Sequence, residues 1–433
     1  VQINPDFPDA HYNLGTIYLE NGQFQNATHC FQECLRLGAK SSEIYNNLGL
    51  AQAKCGNPDL AIQDLNTALS IDTNNVEALR NLGSILLKSG RLTEAANTFV
   101  KYKNLYPAIS EPHEFLADTY AKQGLHTKAL TLYQRALAYS ENNARILGKM
   151  GIAFMYRGQQ ENAVAVLDRA INIDPNLASA HSAKILALHY HPSIKRQFLF
   201  SELKSWNHRY AADCERIYPE MQDLKPQNGK LRLGFVADGF HRHPVGFLAA
   251  PVLQYLDREK YEIVCYSNTP WEDEYAQKYR SLADEWNIIN EMPDREVAQK
   301  IKNDNIQVLF DLIGHGEGSR LLTFARRPAP VQVKWVGGQF NTTGLDCMDY
   351  FLTDSEQTPR GEKDWFTERI YRLPNCYVYY NPPDYSPDIN PLPALQNDKI
   401  TFGCFNNLSK INEQVISTWS EIMHELPQSR LIL

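Results

Sequence analysis

The chain has 433 residues, 43% of them hydrophobic and 21% charged, with a formal net charge of -7. That length exceeds one ordinary core, so two or three domains are expected. The acidic balance argues against a nucleic-acid partner, which calls for a basic stripe, and apolar runs such as Ile306 to Ile313 fall far short of the roughly 18 residues of a membrane span.

The chain opens Val-Gln-Ile-Asn-Pro, without a basic, apolar leader. Six of the eight cysteines stand singly; Cys30 and Cys34, four apart, lack a second pair or a nearby His to complete a metal site. They are expected to be buried thiols in a reducing cytoplasm, with no metal bound.

From the start of the chain, one period repeats. Gly15, Gly49, Gly83, Ala117 and Gly151 are spaced by 34 residues. Gly22, Gly56, Gly90, Gly124 and Gly158 share that spacing, as do the series of Ala27 and of Phe31. Small residues let two helices approach closely, Gly22 breaks the chain between them, and Leu14, Tyr18 and Phe31 supply the buried face. This is the pattern of the tetratricopeptide repeat, whose stacked pairs form a superhelix with a concave surface. About five repeats are expected over 1–177, clipped at the N-terminus, with capping and linker helices over 178–228. Asn13, Asn47 and Asn81 also recur at 34 residues. Amides in a ladder can donate to and accept from an extended peptide backbone, so these three are the candidate peptide-binding residues. The same Asn would equally sit on an exposed helix surface with no such role.

After residue 228 the pattern becomes alternation of strand and helix. Strands are expected at 231–236, 261–266, 286–289, 306–313, 331–336, 350–353 and 369–373, with helices near 247–256, 275–283 and 295–303. Such alternation implies a doubly wound parallel sheet, which binds ligands beyond the carboxyl ends of its strands. Polar residues gather there, in Ala237 to Gly246, Gly314 to Arg320, and Gly337 to Gly344. A further strand, 400–405, leads into Asn406-Asn407-Leu408-Ser409-Lys410 and a helix to about His424; the chain then stops within another strand. Two α/β domains are expected, 229–395 and the start of a second over 396–433. No dinucleotide or P-loop glycine motif is present, and no Asp-x-Asp suggests a metal-held diphosphate. A bound diphosphate would need positive side chains and helix N-termini, a task Lys410 suits at the start of the last helix. Taken singly, His243 and His315 read as loop histidines satisfied by backbone, and Lys410 as a solvated helix-end lysine.

Arg327-Pro328-Ala329-Pro330-Val331-Gln332-Val333 with Trp335, Thr342-Thr343-Gly344 and Met348-Asp349-Tyr350 resembles the O-GlcNAc transferase family and its plant O-fucosyltransferase relatives. So do Phe402-Gly403-x-Phe405-Asn406-Asn407-Leu408-x-Lys410-Ile411, Trp419, and Pro427-x-Ser429-Arg430-Leu431. The resemblance implies a GT-B architecture of two Rossmann-like domains, the second truncated here, holding a sugar nucleotide between them. It implies a metal-independent, inverting transfer to protein Ser or Thr, with UDP-GlcNAc the expected donor and GDP-fucose the alternative. Lys410 resembles the lysine that stabilises the departing diphosphate, and His243 the active-site histidine; these are the catalytic candidates. Asn407, His315, Gly337, Thr342 and Thr343 are the nucleotide-sugar candidates, with protein substrates reaching them through the repeats. Departures surround the sugar pocket: Ala237-Asp238-Gly239-Phe240 displaces the family's acid by one, Gly316 replaces a Thr, and Gly338-Gln339-Phe340 replaces Trp-x-Gly-Tyr/His-Pro. A non-catalytic repeat scaffold with a decayed transferase half is the competing expectation, and this chain alone is expected to transfer no sugar.

Overall fold

A computed structural model describes residues 6–218, 229–269, 273–338, 341–382, 385–397 and 399–433. The expected departure at Gln339-Phe340 lies outside them. The chain divides into two compact units, Val1–Ala153 and Phe154–Leu433.

In the first unit, helices pair: α1 (Pro8–Glu20) with α2 (Phe24–Arg36), α3 (Ser42–Lys54) with α4 (Pro58–Ile71), α5 (Val76–Lys88) with α6 (Leu92–Leu105), and α7 (Ser110–Lys122) with α8 (His126–Tyr139). The helix α9 (Ala144–Tyr156) begins in this unit and crosses the division between the two. The 34-residue glycines explain the pairing. A Cβ on Gly15 would stand 2.8 Å from Phe31 Cε1, and one on Gly83 2.4 Å from Phe99 Cε1, so the aromatic ring of the second helix seats directly on the first. The inter-helix glycines Gly22, Gly56, Gly90 and Gly124 all adopt left-handed φ of +72° to +84°, the conformation that closes a helix C-terminus. Ala27, Phe31, Ala61, Leu65, Ala95 and Phe99 have no exposed surface. The first helices of consecutive repeats touch one another more extensively than the second helices do. They therefore line the inside of the curve.

The second unit continues with α10 (Gln160–Ile173), α11 (Ala178–His189) and α12 (Arg196–Trp206), the last running into a π-helical turn, Asn207–Ala211. The strands then follow as β1 (Leu231–Ala237), β2 (Tyr261–Ser267), β3 (Glu285–Ile288), β4 (Val308–Asp311), β5 (Val331–Lys334), β6 (Tyr350–Thr353) and β7 (Arg369–Arg372). They are interleaved with α13 (Pro244–Tyr255), α14 (Glu274–Leu282), α15 (Asp294–Asn303) and a short α16 (Leu321–Ala325). They form one seven-stranded sheet in the order β3-β2-β1-β4-β5-β6-β7, with every pairing parallel. Both faces are covered. Val236, Tyr266 and Leu309 face a core with Trp206, Ile301 and Phe324, while Phe235, Ile263 and Trp335 face another with Val245, Leu253 and Tyr279. Burial on both sides is why these strands read as apolar runs. The strand order reverses between β1 and β4, which places a crevice at their carboxyl ends.

After α17 (Ala394–Asn397) comes a second, parallel pair: β8 (Thr401–Gly403) and β9 (Arg430–Ile432), joined through α18 (Glu413–Glu425). The terminal strand is present as β9, paired with β8. One expectation is corrected here: Lys410 does not begin the last helix. It closes a separate turn, Leu408–Lys410, because Asn412 caps α18 by accepting from the Val415 N–H at 3.0 Å. Among the described residues, no helix is long and apolar enough to cross a membrane.

Candidate functional site

The loops after β1, β4 and β5 meet at the carboxyl edge of the sheet. His243 ends the first as the N-cap of α13, its Nδ1 accepting from the Val245 N–H at 3.3 Å. Loss of hydration around the ring, and secondly the neighbouring His241, lower its pKa to about 4. The residue keeps an exposed surface, and the ring is neutral at pH 7. With Nδ1 accepting, the neutral ring carries its proton on Nε2.

His315, from the β4 loop, is buried. Its Nε2 lies 2.8 Å from the Thr343 carbonyl and its Nδ1 3.2 Å from Ser182 Oγ, so Nε2 donates and Nδ1 accepts. Trp206 meets its ring edge-on at a 5.0 Å centroid distance. Burial, reinforced by the nearby His189, His181 and Lys334 and opposed by the Thr343 carbonyl, lowers its pKa to about 3. Thr342 and Thr343 are equally occupied: both hydroxyls donate to the buried carboxylate of Glu368, which also accepts the Thr343 N–H at 2.8 Å. The structure thus brings His315, Thr342 and Thr343 together as one internally bonded frame beneath the loop surface. Gly337 sits against the start of α13, where a Cβ would stand 2.6 Å from Val245 Cγ2.

Asn407 and Lys410 share the turn after β8. The Asn407 side chain accepts from the Ser409 N–H at 3.0 Å, and Lys410 Nζ donates to Asn406 Oδ1 at 3.3 Å while remaining exposed. Ser409 is held from α10, where Gln160 Nε2 donates to its carbonyl at 3.3 Å. Lys410 is thus a cation on a braced turn with its charge facing outward, suited to an anion.

Inside the curve of the repeats, Asn47 Nδ2 donates to the Tyr12 hydroxyl at 3.2 Å and Asn81 Nδ2 to Asn46 Oδ1 at 2.9 Å. Asn46 in turn donates to Asn47 Oδ1 at 3.1 Å, so amides of successive repeats form one chain, each with bonding capacity left over. Asn13 is exposed on α1. At the same register the last repeat has Lys149, bridging Glu114 and Asp118 at 2.6 Å each.

Sequence reading missed Glu368, Ser182, and the pair Asp311 and Lys334. A signal existed for the pair alone: each is a charge at the end of a strand whose other residues are mostly apolar. Arg320 sits in the β4 loop but is spent on the Ile289, Asn290 and Met292 carbonyls, Asn268 and Asp294. Among the described residues, no three His, Cys, Asp or Glu side chains converge as metal ligands.

Residues 212–381 match glycosyl transferase family 41, and 8–38, 42–75, 113–145 and 151–189 match tetratricopeptide repeats. A probable UDP-N-acetylglucosamine–peptide N-acetylglucosaminyltransferase of Arabidopsis thaliana, SPINDLY, is 33% identical over 60% of this chain and 29% of its own length. A second from that plant, SEC, is 32% identical over 52% of this chain and 25% of its own. The chain thus spans less than a third of these curated relatives. Among solved structures, a variant of the Thermobaculum terrenum O-GlcNAc transferase superposes with a TM-score of 0.76 at 33% identity, covering 82% of this chain and 67% of that one. With repeats, a seven-stranded parallel sheet and this likeness along most of its length, the chain belongs to glycosyl transferase family 41, the O-GlcNAc transferase family.

Proposed function

We propose that this chain carries the substrate-binding repeats and the first catalytic domain of a protein O-glycosyltransferase that moves GlcNAc from UDP-GlcNAc to Ser or Thr. The observation that carries the reading is the pairing, in one chain, of an amide-lined repeat curve with a family 41 sheet. In this reading the repeats occupy 1–177, capping helices 178–228, the first Rossmann-like domain 229–395, and the beginning of the second 396–433. An extended protein segment lies along Asn13, Asn47 and Asn81, and its Ser or Thr hydroxyl is the acceptor. The hydroxyl oxygen attacks the anomeric carbon from the face opposite the leaving group. The bond to the diphosphate breaks with inversion, UDP departs with the electron pair, and the hydroxyl proton passes to the departing diphosphate or to solvent.

Each candidate then has a chemical part. Lys410 neutralises the diphosphate as negative charge builds, a task that needs no metal. His243 has a pKa of about 4, too low to hold a proton well at pH 7. With Nδ1 taken by the Val245 N–H, the Nε2–H can donate to the sugar or acceptor, which suits an orienting part. Gly337, Thr342, Thr343, His315 and Asn407 shape the sugar-nucleotide side, the middle three by rigidifying the loop from beneath.

The test uses the protein at its natural length, with UDP-GlcNAc, UDP-glucose and GDP-fucose supplied separately to a lysate and modified Ser or Thr read by mass spectrometry. The expected result is a GlcNAc adduct that falls by about 10²–10³-fold in Lys410→Ala, the range for losing one transition-state charge partner. A fucose adduct would replace the donor assignment. No adduct and no nucleotide binding with any donor would return the chain to the scaffold reading.

A further inference from the structure

One feature at the carboxyl edge of the sheet has no part in that scheme. Asp311 ends β4 and Lys334 ends β5, and the two are paired in the sheet register. Both side chains are completely enclosed. Lys334 Nζ lies 3.3 Å from Asp311 Oδ2, donates to the Asp311 carbonyl at 3.2 Å, and donates to the Gly337 carbonyl. Those three contacts use all three N–H bonds of the ammonium. The Asp311 carboxylate also accepts from the backbone N–H groups of Ile313, at 3.0 Å, and Gly314, at 2.9 Å. Burial lowers the Lys334 pKa, with Asp311 opposing.

Stability alone does not account for such a pair, because well-packed apolar residues of similar volume often serve as well or better. Its contacts suggest another role. Every partner belongs either to the end of β4 and its loop or to the turn Trp335 to Gly338. That turn is strained at Val336, which is branched at Cβ, buried, and has φ +56°; Gly338 follows at φ +67°, a conformation open to glycine. It is also wedged. A Cβ on Gly337 would stand 2.3 Å from the Leu312 carbonyl as well as close to Val245, the second residue beyond His243. Left-handed backbone at a valine persists only where surrounding groups hold it, and the Lys334 ammonium holds the carbonyl of the very next residue.

We propose that Lys334, neutralised by Asp311, is a positioning residue: it holds the Trp335–Gly338 turn against the His243-capped end of α13 and thereby sets the wall of the sugar crevice. The inference rests on the transferase reading for what occupies that crevice, though not for the hold on the turn. Lys334→Met by itself would strand a buried carboxylate, so the informative variant is Lys334→Met with Asp311→Asn, which keeps an acceptor for the Ile313 and Gly314 amides. In the natural-length protein, three readouts are taken: melting temperature, amide hydrogen exchange of peptides covering 335–338, and donor KM and kcat.

The expected outcome is an unchanged melting temperature, exchange at 335–338 faster by about tenfold than in the parent, unchanged exchange in β1 and β2, and a donor KM raised about tenfold. Unchanged exchange at the turn, or an increase spread evenly over the sheet, would overturn the proposal. If the parent itself transferred no sugar while the turn still loosened in the double variant, the transferase reading would fall and the hold on the turn would stand.

Discussion

His315 donates from Nε2 to the Thr343 carbonyl and accepts at Nδ1 from Ser182, so protonation would strip one bond and place a charge among apolar neighbours. Its pKa falls from 6.5 in an exposed state to about 3 in the fold. The unfolded chain therefore binds the extra proton first, and the stability this residue contributes is full above pH 6.5 and is lost as pH falls toward 3. The slope of that loss is about 1.4 kcal/mol per pH unit for one proton. His315→Gln, which still offers a donor and an acceptor, should remove that part of the slope. Urea unfolding at pH 4.5 and pH 6 measures it, and parallel pH dependences for parent and variant would count against the assignment. The candidate roles of His243 and Lys410 came from motif position. Nothing in the sequence told that the Thr342 and Thr343 hydroxyls would be consumed by Glu368, because that carboxylate lies 25 and 26 residues further along the chain.

Among elements, the helix pairs were legible because their determinants are local and repeated: a small residue, a turn glycine and a large apolar residue at one period. Gly83 shows how tight that contact is. Gly83→Ala places a Cβ 2.4 Å from Phe99 Cε1, so it should destabilise the array by about 1–3 kcal/mol as an overpacked contact, read by urea melting. The fourth repeat has Ala117 at this register, fully buried, with a buried Tyr133 at the position of Phe99, and already accommodates the methyl group. There the reverse change, Ala117→Gly, should instead cost about 1 kcal/mol in helix propensity. Equal effects at the two sites would show that ring placement does not govern them. Strand ends were less legible. The apolar runs 306–313 and 331–336 suggested longer strands than β4 and β5, since hydrophobicity continues where the backbone has already turned: Val336 is buried at a left-handed φ, outside the ladder. Lys410 was misplaced by the same kind of limit, because Asn406, Asn407 and Asn412 all favour turns and caps, and only the fold shows that Asn412 caps α18.

Across the molecule, burial is uneven, and stability should follow it. Phe235, Val236, Ile263, Val264 and Leu309 in the central strands have almost no exposed surface, whereas α18 has no buried residue, with Ile416 55% and Ile422 41% exposed. Hydrogen exchange of this 433-residue chain should therefore show the slowest amides in β1, β2 and β4 and the fastest regular structure in β8, α18 and β9. Equal protection of α18 and β1 would contradict this ordering. The sequence by itself determined the repeat period, the change from helix pairs to alternating strands and helices, and the family, because each depends on residue patterns that recur or lie close together. Only the tertiary structure decided which polar groups remain available for a ligand. Residues distant in sequence compete for the same hydrogen bonds, and Glu368, Ser182 and Asp311 had already taken the partners on which Thr342, Thr343, His315 and Lys334 would otherwise have drawn.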